Sequence, residues 1–130
     1  MAVGMSVTEA NKILEALGNA TNWTAPTAWW IQLHTADPGA AGTTAIAGNA
    51  TRKQASFGTA ANGLISNDAA ITWTAGEVDT AEDYTHWSAW TLSAAGAFIQ
   101  SGLMTANAVL VGDQFTIPVG DLDLQVTVAA

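Results

Sequence analysis

The sequence predicts an all-β fold, either a single sandwich or a small barrel, with seven to eight short antiparallel strands after one N-terminal α-helix. Beyond residue 28, apolar residues recur with period two rather than the helical period. Turn signals separate these runs roughly every 8–12 residues, a spacing typical of sandwiches and small barrels. The length of 130 residues predicts a single domain, 1–130.

The helix is predicted over Ser6–Leu17. Ser6 and Glu9 have the spacing of a capping box, and Gly18 stands where a C-terminal cap belongs. An apolar stripe at helical spacing consists of Ala10, Ile13, Leu14 and Leu17. Because this stripe is narrow, we expect the helix to cover the edge or end of a sheet.

The predicted β domain then occupies residues 29–128. Trp29–Thr35, which runs into a Pro-Gly turn, and Tyr84–Leu92 are the strongest strands, and Leu122–Val128 alternates most cleanly. In that last run, Leu122, Leu124, Val126 and Val128 are expected to face the core. Shorter extended pieces are predicted at 52–57, 64–66, 69–74, 98–104, 109–111 and 115–117.

Aromatic residues occur on both faces of the two strongest strands. Because side chains alternate along a strand, Trp29 and Trp30 must point to opposite faces. By the same parity, Thr85, Trp87 and Ala89 share one face, while Tyr84, His86, Ser88 and Trp90 share the other. Trp30 and Trp90 therefore lie on the faces opposite Trp29 and Trp87, so a single core cannot bury all four rings. We expect a neighbouring subunit to cover Trp30 and Trp90. The predicted interface candidates are Trp30, Trp90, His34 and His86.

Composition excludes several classes of function. The only basic residues are Lys12, Arg52 and Lys53 against 11 acids, so a net charge of −8 argues against nucleic-acid binding. The chain has no cysteine, which excludes disulfides and cysteine metal sites. We see no targeting segment and expect no membrane insertion. With only 11% charged residues, much of the surface is expected to be covered by partners.

Metal binding is not favoured by the sequence. His34 and His86 would need a third ligand, such as Asp37 or Asp83, and histidines bonded to backbone or neighbours are the better interpretation. An acidic loop lacks the ligand spacing of an EF-hand, which favours a solvated loop. Its carboxylates belong to Glu77, Asp79, Glu82 and Asp83. We predict no metal and no cofactor.

Catalysis is not favoured either. A hydrolase needs a nucleophile with a base, or paired carboxylates, and no such constellation is visible. We predict no catalytic residues and a chain that is not an enzyme.

Several sequence pieces carry a family resemblance. They are Leu33–Gly39, Thr51–Gly58, Leu64–Asn67, Tyr84–Trp90, Ser101–Leu103 and Gly112–Pro118. Over Trp29–Val128 the chain resembles small β-rich virion structural proteins of tailed phages, especially those of actinobacteria, usually labelled tail fibre or minor tail proteins. The resemblance implies a virion protein and brings no catalytic residues with it.

The location within the particle is a separate prediction. Because the chain shows neither a shaft nor an attachment region, we expect a capsid decoration or minor capsid protein on the particle surface. By analogy it forms a homo-oligomer, with a trimer as the expected form, that contacts the major capsid protein. The alternatives are a minor tail or tail-fibre-type protein that contacts tail proteins, and a carbohydrate-binding module for a host surface glycan. A glycan hydrolase is a third class, which the missing acid pair disfavours.

Overall fold

One helix precedes eight antiparallel strands in a computed structural model that describes residues 3–129. The elements are α1 (Val7–Asn19), β1 (Trp29–His34), β2 (Lys53–Ala55), β3 (Leu64–Ser66), β4 (Ile71–Trp73), β5 (Glu82–Trp90), β6 (Phe98–Val109), β7 (Phe115–Ile117) and β8 (Asp123–Gln125). The predicted fold class, mostly β with one N-terminal helix, is confirmed.

The strands form three open sheets. The largest has the order β2-β1-β5-β6, and the other two are the pairs β3-β8 and β4-β7. Across residues 3–129 no ladder joins these sheets into a closed cylinder, so the predicted small barrel is not formed.

The core lies between the four-stranded sheet and the β4-β7 pair. Ile31, Leu33 and Trp87 are buried on one face of the large sheet. From the other side, Trp73 packs against Phe115 with ring centroids 5.8 Å apart. Each fully buried large apolar side chain contributes about 1.5–3 kcal/mol, so this shared core is what holds the sheets together.

A bulge breaks the predicted parity of β5. Alternation placed Tyr84 with His86 on the face away from the core, but Tyr84 is buried in the core, 5.0 Å from the Phe115 ring. The reason is a shift in the β5-β6 register between Tyr84 and His86, which lie opposite Asn107 and Leu103. β6 advances four residues here while β5 advances two, and such an irregularity interrupts the ladder and increases the local twist, so strict alternation does not extend across it.

Two strand boundaries also differ from prediction. β6 runs without interruption to Val109, so 109–111 is not a strand of its own. β8 covers only three residues, which pair with the three residues of β3. Leu122 is buried as predicted, but Val126 is 73% exposed and Val128 is exposed too, so the prediction that they face the core is wrong.

The start of α1 depends on Ser6. Its Oγ accepts a hydrogen bond from the Glu9 backbone N–H at 3.2 Å, as a helix cap should. Glu9 does not complete the capping box, since its carboxylate binds Lys12 Nζ at 2.7 Å. The Ser6 backbone N–H instead donates to the carbonyl of Ile99 at 2.8 Å, which ties the helix start to β6.

The end of α1 lies beyond the predicted Leu17. The cap is Ala20, which is in the left-handed conformation with φ 53°, so Gly18 lies inside the helix. The apolar stripe does not cover a sheet as expected, because Leu14 and Leu17 are exposed. No helix within residues 3–129 combines the length and the hydropathy that crossing a bilayer requires.

The edge of β6 is covered only along its first half. Met5 pairs with Gln100, and the Ser101 N–H donates to the Gly4 carbonyl at 2.8 Å. From residue 103 to 109, no strand among the described residues pairs with the side of β6 that faces away from β5. The largest sheet therefore ends in an open edge about half a strand long.

Gly102 provides a test of how tightly the core is packed. It lies opposite Trp87 in the β5-β6 ladder, and a Cβ at this position would overlap the indole ring. Gly102→Ala should lower the free energy of unfolding by about 1–3 kcal/mol, the usual cost of overpacking, in urea denaturation. The control is Gly76→Ala, since a Cβ there meets no atom within 4 Å. If both variants unfold at the same urea concentration, Trp87 does not depend on this glycine.

Candidate functional site

The four interface candidates lie on one face of the β1-β5 ladder, opposite the core. Trp30 lies opposite Trp90, and His34 lies opposite His86. A polar pair, Gln32 and Ser88, separates the aromatic pair from the histidine pair. We call these six residues the tryptophan–histidine face.

A hydrogen-bond network joins three buried members of this face. His34 Nδ1 lies 2.8 Å from the Thr44 carbonyl oxygen, and His34 Nε2 lies 2.7 Å from Ser88 Oγ. Trp90 Nε1 donates to the same Ser88 Oγ at 2.8 Å. A carbonyl can only accept, so we assign the proton to Nδ1, and the Ser88 hydroxyl then donates to Nε2. Ser88 is the hub, accepting from the indole and donating to the imidazole.

The imidazole of His34 is held in its neutral form. Burial lowers the pKa of His34 from its ordinary value, because an imidazolium would lose its hydration there. The hydrogen bond to Thr44 opposes this shift, while the positive charges of His86 and Arg52 add to it. With both ring nitrogens engaged, His34 has no lone pair free for a metal.

Arg52 covers the tryptophan end of the face. Its guanidinium carbon lies 4.2 Å from the centroid of the Trp90 ring, a cation–π contact. Arg52 Nε donates to Gln32 Oε1 at 3.2 Å, and Nη1 donates to the carbonyls of Leu92 and Ala95 at 3.0 and 2.7 Å. One side chain thus joins β1, the residues before β2 and the turn after β5.

The loop between β1 and β2 packs against Phe98, which lies beside Trp90. Gly42 has a φ of +71° and lies so close to the Phe98 ring that a Cβ would overlap it. Phe98 in turn lies 5.5 Å from the Trp90 ring. As a result Trp90 is only 7% exposed, whereas Trp30 and His86 are half-buried at the rim.

The histidines do not assemble a metal site with either predicted third ligand. His86 Nδ1 lies 2.7 Å from Thr85 Oγ1, and the Asp37 carboxylate accepts from the Gly39 N–H at 2.8 Å. Within residues 3–129, no three side chains of the His, Asp or Glu type come together in a way that could hold a metal ion.

The predicted solvated acidic loop is shorter than expected, because Glu82 and Asp83 lie in β5, and two of its carboxylates bind other parts of the fold. Glu77 binds Lys53 Nζ at 2.5 Å and accepts from the Thr74 N–H at 2.7 Å, while Glu82 accepts from the Gly48 N–H at 2.8 Å. The hydrogen bond from Lys53 is the main reason that the pKa of Glu77 is lowered. Sequence reasoning missed the contacts with Lys53 and Gly48 because these partners are distant in sequence.

A groove of about 640 Å³ lies beside the open half of β6, and the sequence did not predict it. It separates the open half of β6 from the β7–β8 segment, with Trp87 and Phe115 among its apolar lining residues. Asp121 and Asp123 line the same groove. No sequence signal indicates it, because it depends on which strand edges remain unpaired.

A family comparison identifies what kind of protein carries this face. The Gp80 family model, described as Podophage GP4 fiber I protein gp80, matches residues 4–125. The chain belongs to the Gp80 family of phage fibre proteins. A comparison with curated proteins finds no match.

Membership of the Gp80 family decides several sequence predictions. The chain is a structural, non-enzymatic virion protein, as predicted, and a fibre protein associates with other virion proteins. The family description names a fibre, which supports the tail-fibre alternative rather than capsid decoration. It names a podophage and gives no support to an actinobacterial origin.

The stability of this Gp80-family protein should fall in mild acid because of His34. The unfolded chain protonates this histidine at its ordinary pKa of about 6.5, and the folded chain does so only at lower pH. The unfolded state therefore binds more protons below that pH. The free energy of unfolding should be highest above about pH 6.5 and fall below it, by no more than about 1.4 kcal/mol per pH unit for this group.

Urea denaturation as a function of pH measures this slope, and NMR titration of the His34 ring in the folded protein checks its cause directly. The control is His34→Gln, which should lose the slope between about pH 5.5 and 7. A His34 ring that titrates at or above the ordinary value would contradict the assignment.

Proposed function

We propose that this protein is a structural subunit of a phage tail fibre that works as a homo-oligomer. The observation that supports this most strongly is the match of the fibre family over residues 4–125, nearly the whole chain. The tail as the location, and self-association, go beyond the family description and are our inference.

The expectation of a capsid decoration protein depended on the lack of a shaft in this chain. A fibre built from several different chains does not need a shaft in each of them. A tail placement is therefore compatible with a small β-rich subunit, and it agrees with the word fibre in the family description. A trimer remains the predicted form, by analogy with other virion proteins.

We infer that the rim of the tryptophan–histidine face contacts the neighbouring subunit or another fibre protein. Trp30 and His86 are half-buried, so part of each ring is free for a partner. Beneath them, Trp90 and His34 are fixed by Ser88, which gives the rim a rigid support. A partly exposed aromatic residue on a rigid surface is typical of interface hot spots.

Binding of a host glycan receives less support from the structure. Stacking on sugars needs exposed aromatic rings, but Trp73, Trp87 and Trp90 are buried and Trp30 is half-buried, which leaves Trp23, 37% exposed, as the most accessible indole. We therefore do not propose a sugar platform on these tryptophans.

Immunogold labelling of intact particles tests the tail placement. An antibody against this protein should label the tail region, while an antibody against the major capsid protein labels the shell of the same particles. Label distributed over the shell would overturn the tail placement and restore the capsid hypothesis.

Replacement of Trp30 tests the proposed rim contact. Trp30→Ser should keep the fold, because the ring is only partly buried, and should lower incorporation of the protein into particles. The control is Val119→Ser, which removes an exposed apolar side chain from the turn after β7 and should leave incorporation unchanged. Incorporation is measured by quantitative blotting of purified particles. Normal incorporation of a folded Trp30→Ser protein would exclude the rim as a contact.

A further inference from the structure

The helix α1 carries an apolar stripe that the chain leaves open to solvent. Val7, Leu14 and Leu17 are 74%, 63% and 83% exposed. With Ala10 between them, they follow the 3-4-3 spacing of a heptad repeat, in which apolar residues occupy the first and fourth positions. We call Val7, Ala10, Leu14 and Leu17 the α1 stripe.

The polar residues of α1 are in part paired with one another and with the segment that follows the helix. Glu9 is buried and paired with Lys12, and Glu15 binds Asn19 Nδ2 at 2.6 Å. After Ala20 the chain turns back, and residues 21–24 lie alongside the polar side of the helix around Asn11. The exposed polar side chains are thus hydrated or paired, while the exposed apolar stripe has only solvent beside it.

We propose that α1 helices from separate copies of this chain pack along the α1 stripe as a short parallel coiled coil. The inference deepens the proposed homo-oligomer and rests on it. A 3.5-residue period keeps one stripe facing an identical stripe along the whole contact, which is how identical helices associate. The stripe is thus complementary to a second copy of itself.

The distribution of charge favours a second copy over another partner. The chain carries a net charge of −8, so copies repel one another wherever their carboxylates meet. The heptad positions that flank the stripe hold Asn11, Ile13 and Gly18, none of which is charged. Two acidic chains can therefore meet here without bringing like charges together, and the stripe offers a basic partner no carboxylate to recognise.

The anchoring of α1 favours the parallel direction. The helix start is fixed to β6 by the bond from the Ser6 N–H to the Ile99 carbonyl, so its direction relative to the sheets is set. Copies related by a rotation axis along the fibre then present their helices in the same direction. Two heptads are too short to associate without support, so the sheets of the same copies must contribute to the contact.

Single cysteines test this packing, because the natural chain has none. Leu14→Cys and Leu17→Cys should each form disulfide-linked pairs of chains under mild oxidation, since equivalent seam positions of parallel helices lie within disulfide reach. The control is Thr8→Cys, an exposed helix position outside the stripe, which should give at least tenfold less cross-linked product. Equal yields at Thr8 and the seam positions, or a link at only one of the two seam positions, would overturn the parallel seam.

A variant with charged residues at the seam positions tests this inference separately from the proposed function. Leu14→Glu with Leu17→Glu should convert the oligomer into monomers in sedimentation velocity, with at least a tenfold loss of self-affinity, while circular dichroism of the sheets stays unchanged. If the variant remains an oligomer like the natural protein, the α1 seam is wrong and the homo-oligomer stands. If the natural protein is itself a monomer, the homo-oligomer fails together with the seam, whereas the immunogold label still decides the tail placement.

Discussion

The pairing of β1 with β5 is the constraint on which the rest of the molecule depends. This single register places Ile31 and Leu33 beside Ala89 and Trp87 on the core side. On the other side it places Gln32 opposite Ser88 and so brings the Ser88 hydroxyl within reach of both His34 and Trp90. A slip of one residue would exchange these two faces and bury the polar network in the apolar core. The polar network therefore specifies the same register that the core requires.

Local sequence patterns predicted the elements whose structure is decided locally. The Ser6 cap, the strong strands at Trp29 and Tyr84, and the opposite faces of Trp29 and Trp30 all follow from spacing within a few residues. The tryptophan–histidine face was also predictable in its members, since parity alone placed Trp30 and Trp90 away from the main core.

Features that depend on distant partners were not predictable in the same way. The burial of Tyr84 follows from a bulge in the β5-β6 ladder, which alternation within β5 does not reveal. β8 ends at Gln125 in its ladder with the distant β3, and Val126 beyond it is exposed although it continues the alternating pattern. Arg52 and Phe98 cover Trp90. The chain itself therefore buries a tryptophan that the sequence pattern had assigned to a subunit contact. In each case a long-range contact, rather than a local preference, decides the outcome.

The open half of β6 has a consequence for contacts between copies of this chain. Its sequence from Leu103 to Ala108 contains no charge and no proline, the features with which natural edge strands discourage pairing with other chains. Asp121 and Asp123 line the groove beside this edge. Two such edges that approached each other would bring four carboxylates together in one gap, and the resulting repulsion would raise the energy of an edge-to-edge dimer. The two carboxylates therefore oppose edge-to-edge pairing of β6 between copies through like-charge repulsion.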